Sequence, residues 1–239
     1  MTIYRLAPFV IAIHLVFSNG CRTPTDPDTF YKGPRLTDWE VPTGDWMIVG
    51  DVELNPQDPQ TFRTIEGADV LTNGPRGRTS NLLYRTQHGD ANVHLEFNVP
   101  KGSNSGVYLQ GRYEIQILDS WGQQTVTFAD CGGIYQRWQD NQGFEGHAPK
   151  INASLRPGQW QRLDIVFRAP RFNEQSDKIE NARFEEVRLN GVVVHQDVEL
   201  TGPTRSAAFP DDEKPTGPLM LQGDHGPVAY RNLVIEPLR

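Results

Sequence analysis

Apolar and polar side chains alternate along several stretches of the chain, most sharply over residues 104–119. Val107, Leu109, Tyr113, Ile115 and Ile117 fall on one side at period two, and Tyr108, Gln110, Arg112, Glu114 and Gln116 on the other. The stretch therefore reads as one strand with a core face and a working face. In residues 91–100, Val93, Leu95, Phe97 and Val99 alternate with Asn92, His94, Glu96 and Asn98. The turn over 100–106 is short enough to make this strand an antiparallel neighbour of the first, bringing Glu96 near Arg112 or Glu114. Further strands are predicted over 45–54, 68–72, 81–84, 160–167 and 228–235, each bounded by Gly, Pro or Asn. Residues 184–189 and 192–195 flank Asn190-Gly191, a pair that supplies the positive φ angles of a type I′ hairpin turn. Residues 120–154 mix Gly, Asn, Gln and aromatics without a period and read as long loops that wall a binding site. With no amphipathic helix of ordinary length, the pattern predicts an all-β fold, a jelly-roll-like sandwich of two antiparallel sheets.

The chain's 239 residues give room for one large all-β domain. Its 30 acidic against 23 basic residues, a formal charge of -7, argue against a nucleic-acid partner. Arg5 precedes an apolar run over 6–17, broken only by Pro8 and His14, and Ser18 and Gly20 lead into Cys21. This is the pattern of a secretory signal. A run of about a dozen residues is shorter than the roughly 20 needed to span a bilayer as a helix. Ser18-Asn19-Gly20-Cys21 resembles a bacterial lipobox, in which the cysteine is acylated, although Asn19 stands where that pattern usually has a small residue. Two outcomes stay open, an exported protein in the periplasm or one lipid-anchored in the cell envelope through Cys21. Residues 1–21 are thus read as a signal, 22–38 as a flexible tether rich in Pro, Thr and Asp, and 39–239 as the folded domain. Cys131 is then the remaining cysteine, without a disulfide partner in the domain, and reads as a small buried apolar residue.

The polar face of 104–119 offers an aromatic, amides, a guanidinium and a carboxylate, the groups that grip a sugar or do acid/base chemistry in a cleft. Arg112 and Glu114 share a face by parity and can hold each other ionised. Glu114 with Asp119 invites comparison with retaining glycosidases, whose paired carboxylates lie roughly 5–5.5 Å apart. Five residues apart, however, they point to opposite faces of a regular strand, so a bulge or strand end would have to re-aim Asp119. His225 lies in a short loop between Asp224 and Gly226. The sequence shows no closely spaced zinc-ligand set, no glycine-rich nucleotide loop and no Gly-x-Ser-x-Gly elbow.

Several runs taken together resemble the bacterial 3-keto-disaccharide hydrolase domain family. They are 104–109, 112–120, Asn152-Ala153, 160–172, 189–191, Leu221-Gln222, 225–228 and 230–232, in the family's order from about Trp39 to the C-terminus. Two stretches depart from its pattern: residues 74–84 are more basic and glycine-rich, and Gly223-Asp224 stands between Gln222 and His225. The resemblance implies a concanavalin A-like lectin/glucanase sandwich acting on 3-keto-glycosides, with an upstream enzyme that oxidises the sugar at C3. It implies proton abstraction from C2, elimination at C1 and rehydration, giving net hydrolysis. On that reading Glu114 is the base, Arg112 or His225 stabilises the enolate oxygen, and Glu96 or Asp119 assists proton transfer. Asn104, Tyr108, Gln116 and Gln222 hold the sugar. A divalent metal held by Glu114, His225 and a neighbour is neither required nor excluded. Two other classes compete: a non-catalytic lectin-like carbohydrate-binding domain, and a retaining glycosidase using Glu114 and Asp119.

Overall fold

A pleated strand whose two faces meet different media needs side chains that alternate, and most of this chain obeys that rule. The structure, a computed structural model, describes residues 34–238. The signal segment, Cys21 and the tether up to residue 33 lie outside the described residues. The last expected tether residues, Leu36–Asp38, instead form a 3-10 turn that delivers Trp39 into the core, edge-on to Tyr84 at 5.1 Å.

The first six strands are β1 (Met47–Asn55), β2 (Asp58–Thr72), β3 (Leu82–His88), β4 (Ala91–Asn98), β5 (Asn104–Leu109) and β6 (Tyr113–Leu118). A short hairpin of β7 (Arg137–Gln139) and β8 (Gln142–Phe144) rises from the long loops. Then come β9 (Gln161–Arg168), β10 (Arg171–Phe172), β11 (Lys178–Glu180) and β12 (Ala182–Leu189). β13 (Val192–Leu200), β14 (Gly217–Leu221) and β15 (Ala229–Pro237) complete the described chain.

A seven-stranded antiparallel sheet, ordered β1-β2-β15-β4-β9-β12-β13, packs on a four-stranded one, β3-β14-β5-β6, as the expected jelly-roll-like sandwich. Leu95, Phe97, Leu163, Phe167 and Phe184 of the large sheet share one core with Val107, Leu109, Ile115, Ile117 and Leu221 of the small one. Each such side chain contributes about 1.5–3 kcal/mol by leaving water. Cys131 packs in that core as a free thiol, which burial pushes up to about 11, so it stays protonated. Asn190 and Gly191 take positive φ, 53° and 81°, and close the β12–β13 hairpin as predicted. The strand expected over 68–72 is the end of the fifteen-residue β2, whose outer part is polar and exposed and carries no alternation to read.

Two expectations around residues 91–119 are overturned. Residues 104–119 are two strands, not one: Gln110, Gly111 and Arg112 turn the chain, with Gln110 and Gly111 at φ 54° and 64° and Arg112 N–H donating to Leu109 O at 3.0 Å. Leu109 then pairs with Tyr113, four positions on, so the period-two pattern passes unbroken through the reversal. In addition, β4 is not the neighbour of β5. It lies between β15 and β9 in the large sheet, and the connection over 99–103 crosses from one sheet to the other.

Candidate active site

The small sheet turns one face to the core and the other outward, and the outward face carries the site. Cross-strand pairing places Met220, Tyr108 and Glu114 in one row across β14, β5 and β6. The next row holds Gln222, Gly106 and Gln116, with Gln222 N–H donating to Gly106 O at 2.9 Å. Gly106 leaves a gap in that row, and the Glu114 carboxylate fills it. A Cβ at Gly106 would stand 2.2 Å from Glu114 Oε1.

Glu114 is 2% exposed. Burial raises its pKa from the usual 4.5 to about 8; the hydrogen bond from Tyr108 pulls it down and the negative charge of Asp224 pushes it further up. Burial, with the neighbouring Glu114, holds the Tyr108 phenol well above its ordinary value, so it remains a donor. Beside them Gln116 Nε2 donates to Asn104 Oδ1 at 3.2 Å, and the buried Gln222 Oε1 has no hydrogen-bond partner. Such an orphaned acceptor lining a cavity is a ready contact for a hydroxyl of a ligand.

Three segments close the walls of a cavity of about 190 Å³. Residues 132–135 run along the free edge of β6 through Gln116 N–H to Gly133 O, 2.8 Å, and Tyr135 N–H to Glu114 O, 3.2 Å, which sets Tyr135 in the wall. Thr204 accepts from Glu114 N–H at 3.1 Å and donates to Arg112 O at 3.0 Å, fastening the loop that carries Arg205 and Ser206 to the cavity. His225 comes from the loop after β14, its Nδ1 2.5 Å from Asp224 Oδ1, with about half of its side chain exposed.

That last loop is held by Asn73 and by the basic, glycine-rich stretch 74–84 that follows it. Asn73 donates to Gly223 O and Gly226 O at 3.0 and 2.8 Å, Arg78 donates to Asp224 O at 2.8 Å, and Asn81 accepts from Gly223 N–H. At Gly77 a Cβ would lie 2.0 Å from Gly226 and Pro227 backbone atoms. The basic, glycine-rich 74–84 and the Gly223-Asp224 pair are therefore two sides of one contact.

The predicted residues Asn104, Tyr108, Glu114, Gln116, Gln222 and His225 thus meet in one cavity. Arg112, Glu96 and Asp119 do not. Arg112 sits in the turn, its guanidinium buried and donating to the carbonyls of Asp212, Gln110 and Thr216 while stacking on Phe209, so it holds the 209–216 loop. Glu96 belongs to the large sheet and binds Arg231 and Asn232 at 2.7 and 3.1 Å. Asp119 lies past the end of β6, where it accepts from Gly102 and Trp121 N–H, so no bulge re-aims it toward Glu114. Tyr135, Arg205 and Ser206 were missed. Only the general rule that aperiodic loops wall a site pointed to Tyr135, and Arg205 is a single basic residue in a proline-rich loop. Among the described residues no group of three or more His, Cys, Asp or Glu side chains is placed to hold a metal ion.

Residues 28–236 match the 3-keto-alpha-glucoside-1,2-lyase-like domain family. The chain belongs to that family. Among solved structures it is similar to a candidate glycosyl hydrolase from Parabacteroides distasonis ATCC 8503, at 28% identity over 87% of this chain and 82% of that one, with a TM-score of 0.64. A second candidate glycosyl hydrolase from that organism shares the fold, with a TM-score of 0.52 at 15% identity over 87% of this chain and 92% of that one. No curated protein matches in sequence. The 3-keto-alpha-glucoside-1,2-lyase-like domain is thus a carbohydrate-active, hydrolase- or lyase-like enzyme domain on a concanavalin A-like sandwich.

Proposed function

We propose that this enzyme cleaves 3-keto-glycosides by removing the proton on C2, beside the ketone, and then expelling the substituent at C1. The observation that carries this reading is the buried Glu114 carboxyl, shifted to about 8, in one cavity with His225. A carboxylate that ionises near 8 is a stronger base than an ordinary one once its proton is gone, and a C–H proton next to a ketone calls for such a base.

Ionised Glu114 takes the C2 proton, and the electron pair of that bond moves onto the ketone oxygen as an enolate. The enolate collapses to re-form the ketone, a C1–C2 double bond forms, and the C1–O bond breaks with its electrons on the departing oxygen. His225, oriented through Nδ1 by Asp224, supplies a proton to that oxygen. Water then adds across the double bond, hydroxyl to C1 and proton to C2, giving net hydrolysis. Arg205 makes no ion pair among the described residues and lines the cavity, so it takes the enolate-stabilising role for which Arg112 is out of reach. Gln116, Asn104 and the unpartnered Gln222 Oε1 position the sugar hydroxyls.

The export read from residues 1–21 goes with this proposal, as does an upstream enzyme that oxidises C3 of the sugar. The elimination route is tested by running the reaction on a 3-keto glucoside in deuterated water. Rehydration places deuterium at C2 of the released sugar above the enzyme-free control; product carrying only the original C2 hydrogen would point to direct displacement at C1.

A further inference from the structure

The run Gly223-Asp224-His225-Gly226-Pro227, between β14 and β15, has little with which to fix itself. Its two glycines give it more conformational freedom to lose than an ordinary loop, and Asp224 and His225 are exposed, so neither packs it into place. A proton donor must nevertheless come within about 2.6–3.2 Å of the oxygen it serves, so the backbone under the imidazole has to be held from outside.

The holding comes from residues 73–81. Asn73 is 1% exposed and uses both amide donors and its acceptor on this one loop. Nδ2 donates to Gly223 O at 3.0 Å and Gly226 O at 2.8 Å, and Oδ1 accepts from Val228 N–H at 2.8 Å, so a single side chain grips the backbone on both sides of His225. Buried bonds of this kind are costly to leave unmade, which makes the grip stiff. Arg78 Nη1 donates to Asp224 O at 2.8 Å and thereby fixes the peptide that joins Asp224 to His225, whose side chains are themselves in contact. Thr79 N–H donates to Gly223 O and Gly226 N–H to Gly77 O, each at 3.0 Å, the second through an approach that a Cβ at Gly77 would block. From the opposite side Ser103 Oγ donates to Pro227 O at 2.6 Å.

We propose that residues 73–81 are the mount that aims His225 at the departing oxygen, and that Asn73 and Arg78 are positioning residues acting through the backbone on either side of it. This rests on the reading of His225 as the acid of the reaction proposed above.

The test uses two substrates that differ in their need for an acid: a 3-keto methyl glucoside, whose methoxide must be protonated to leave, and a 3-keto 4-nitrophenyl glucoside, whose phenolate departs without a proton. Asn73→Ala is expected to lower kcat on the methyl glucoside by about 100-fold, the cost of a misplaced reacting group, and to stay within about threefold of wild type on the nitrophenyl glucoside. Arg78→Ala, at an exposed position where the fold is not at stake, is expected to show the same split with a loss of about tenfold on the methyl glucoside. Added to His225→Ala, it should cost nothing further, because it acts through that side chain. Equal losses on both substrates, no loss on the methyl glucoside, or a further loss in the double variant would overturn the mount. If wild type turns over neither substrate, the reaction assignment fails by itself, and the mount is read from the NMR signal of the imidazole, identified by its disappearance in His225→Ala. Movement of that signal to the position of a free histidine in Arg78→Ala supports the mount, and a signal that does not move rejects it.

Discussion

Glu114 carries a charge-dependent cost that can be measured without any substrate. Its carboxyl titrates at about 8 in the folded chain and near 4.5 when solvated, so between those values the folded state keeps a proton that the unfolded state has released. The folded state binds more protons across that window, and stability therefore falls as pH rises from about 4.5 to about 8. Glu114→Gln keeps an acceptor for Tyr108 and removes the titration. The variant is expected to match wild type in thermal denaturation near pH 4 and to become more stable by about 2–4 kcal/mol at pH 9. Parallel pH profiles for the two proteins would mean that Glu114 is not shifted. The groups passed over at this scale, Arg112, Glu96 and Asp119, are each spoken for by partners that close turns, loops or the large sheet.

At the scale of the element, the β5–β6 hairpin makes a site out of an alternating sequence. The cross-strand gap at Gly106 is where the Glu114 carboxylate lies, so a methyl group there must move the base. Gly106→Ala is expected to lower kcat by about 100-fold while the fold persists, since a displacement of about 1 Å at a reacting group costs that much. Turnover close to wild type would show that the carboxylate does not act from that gap. The working face was legible in the sequence because side-chain parity survives the reversal: an odd, three-residue turn puts Leu109 and Tyr113 on the same side. For the same reason the turn itself was hidden. A run of period-two residues looks alike whether the chain continues or folds back, and the signal for reversal was only Gln110-Gly111 with positive φ. Asn190-Gly191, a pair with strong turn chemistry, was readable where Gln-Gly was not.

For the whole molecule, the sandwich was legible because strands bounded by turn residues recur along the chain and its apolar positions fill a single core. Sheet membership was not. The five-residue connection over 99–103 is of a length that can join two neighbours or cross between sheets, and the choice of crossing separates Glu96 from Glu114. The walls of the cavity depend on backbone hydrogen bonds from distant loops, such as Thr204 to Arg112 and Tyr135 to Glu114, which leave no periodicity behind. Other long-range contacts, from Asn73, Arg78 and Asn81, join the stretch around 74–84 to the loop of Asp224 and His225, so two stretches expected as separate departures from the family act as one support. Together these pieces place a shifted carboxyl, an oriented histidine and the Arg205 guanidinium around one sugar-sized space. The central claim, that the ketone is what makes the sugar cleavable here, is tested most directly by incubating the protein with a matched pair, a 3-keto glucoside and its unoxidised parent. Release of the aglycone from the 3-keto compound alone is the predicted result; release from the unoxidised glucoside, or from neither, would contradict it.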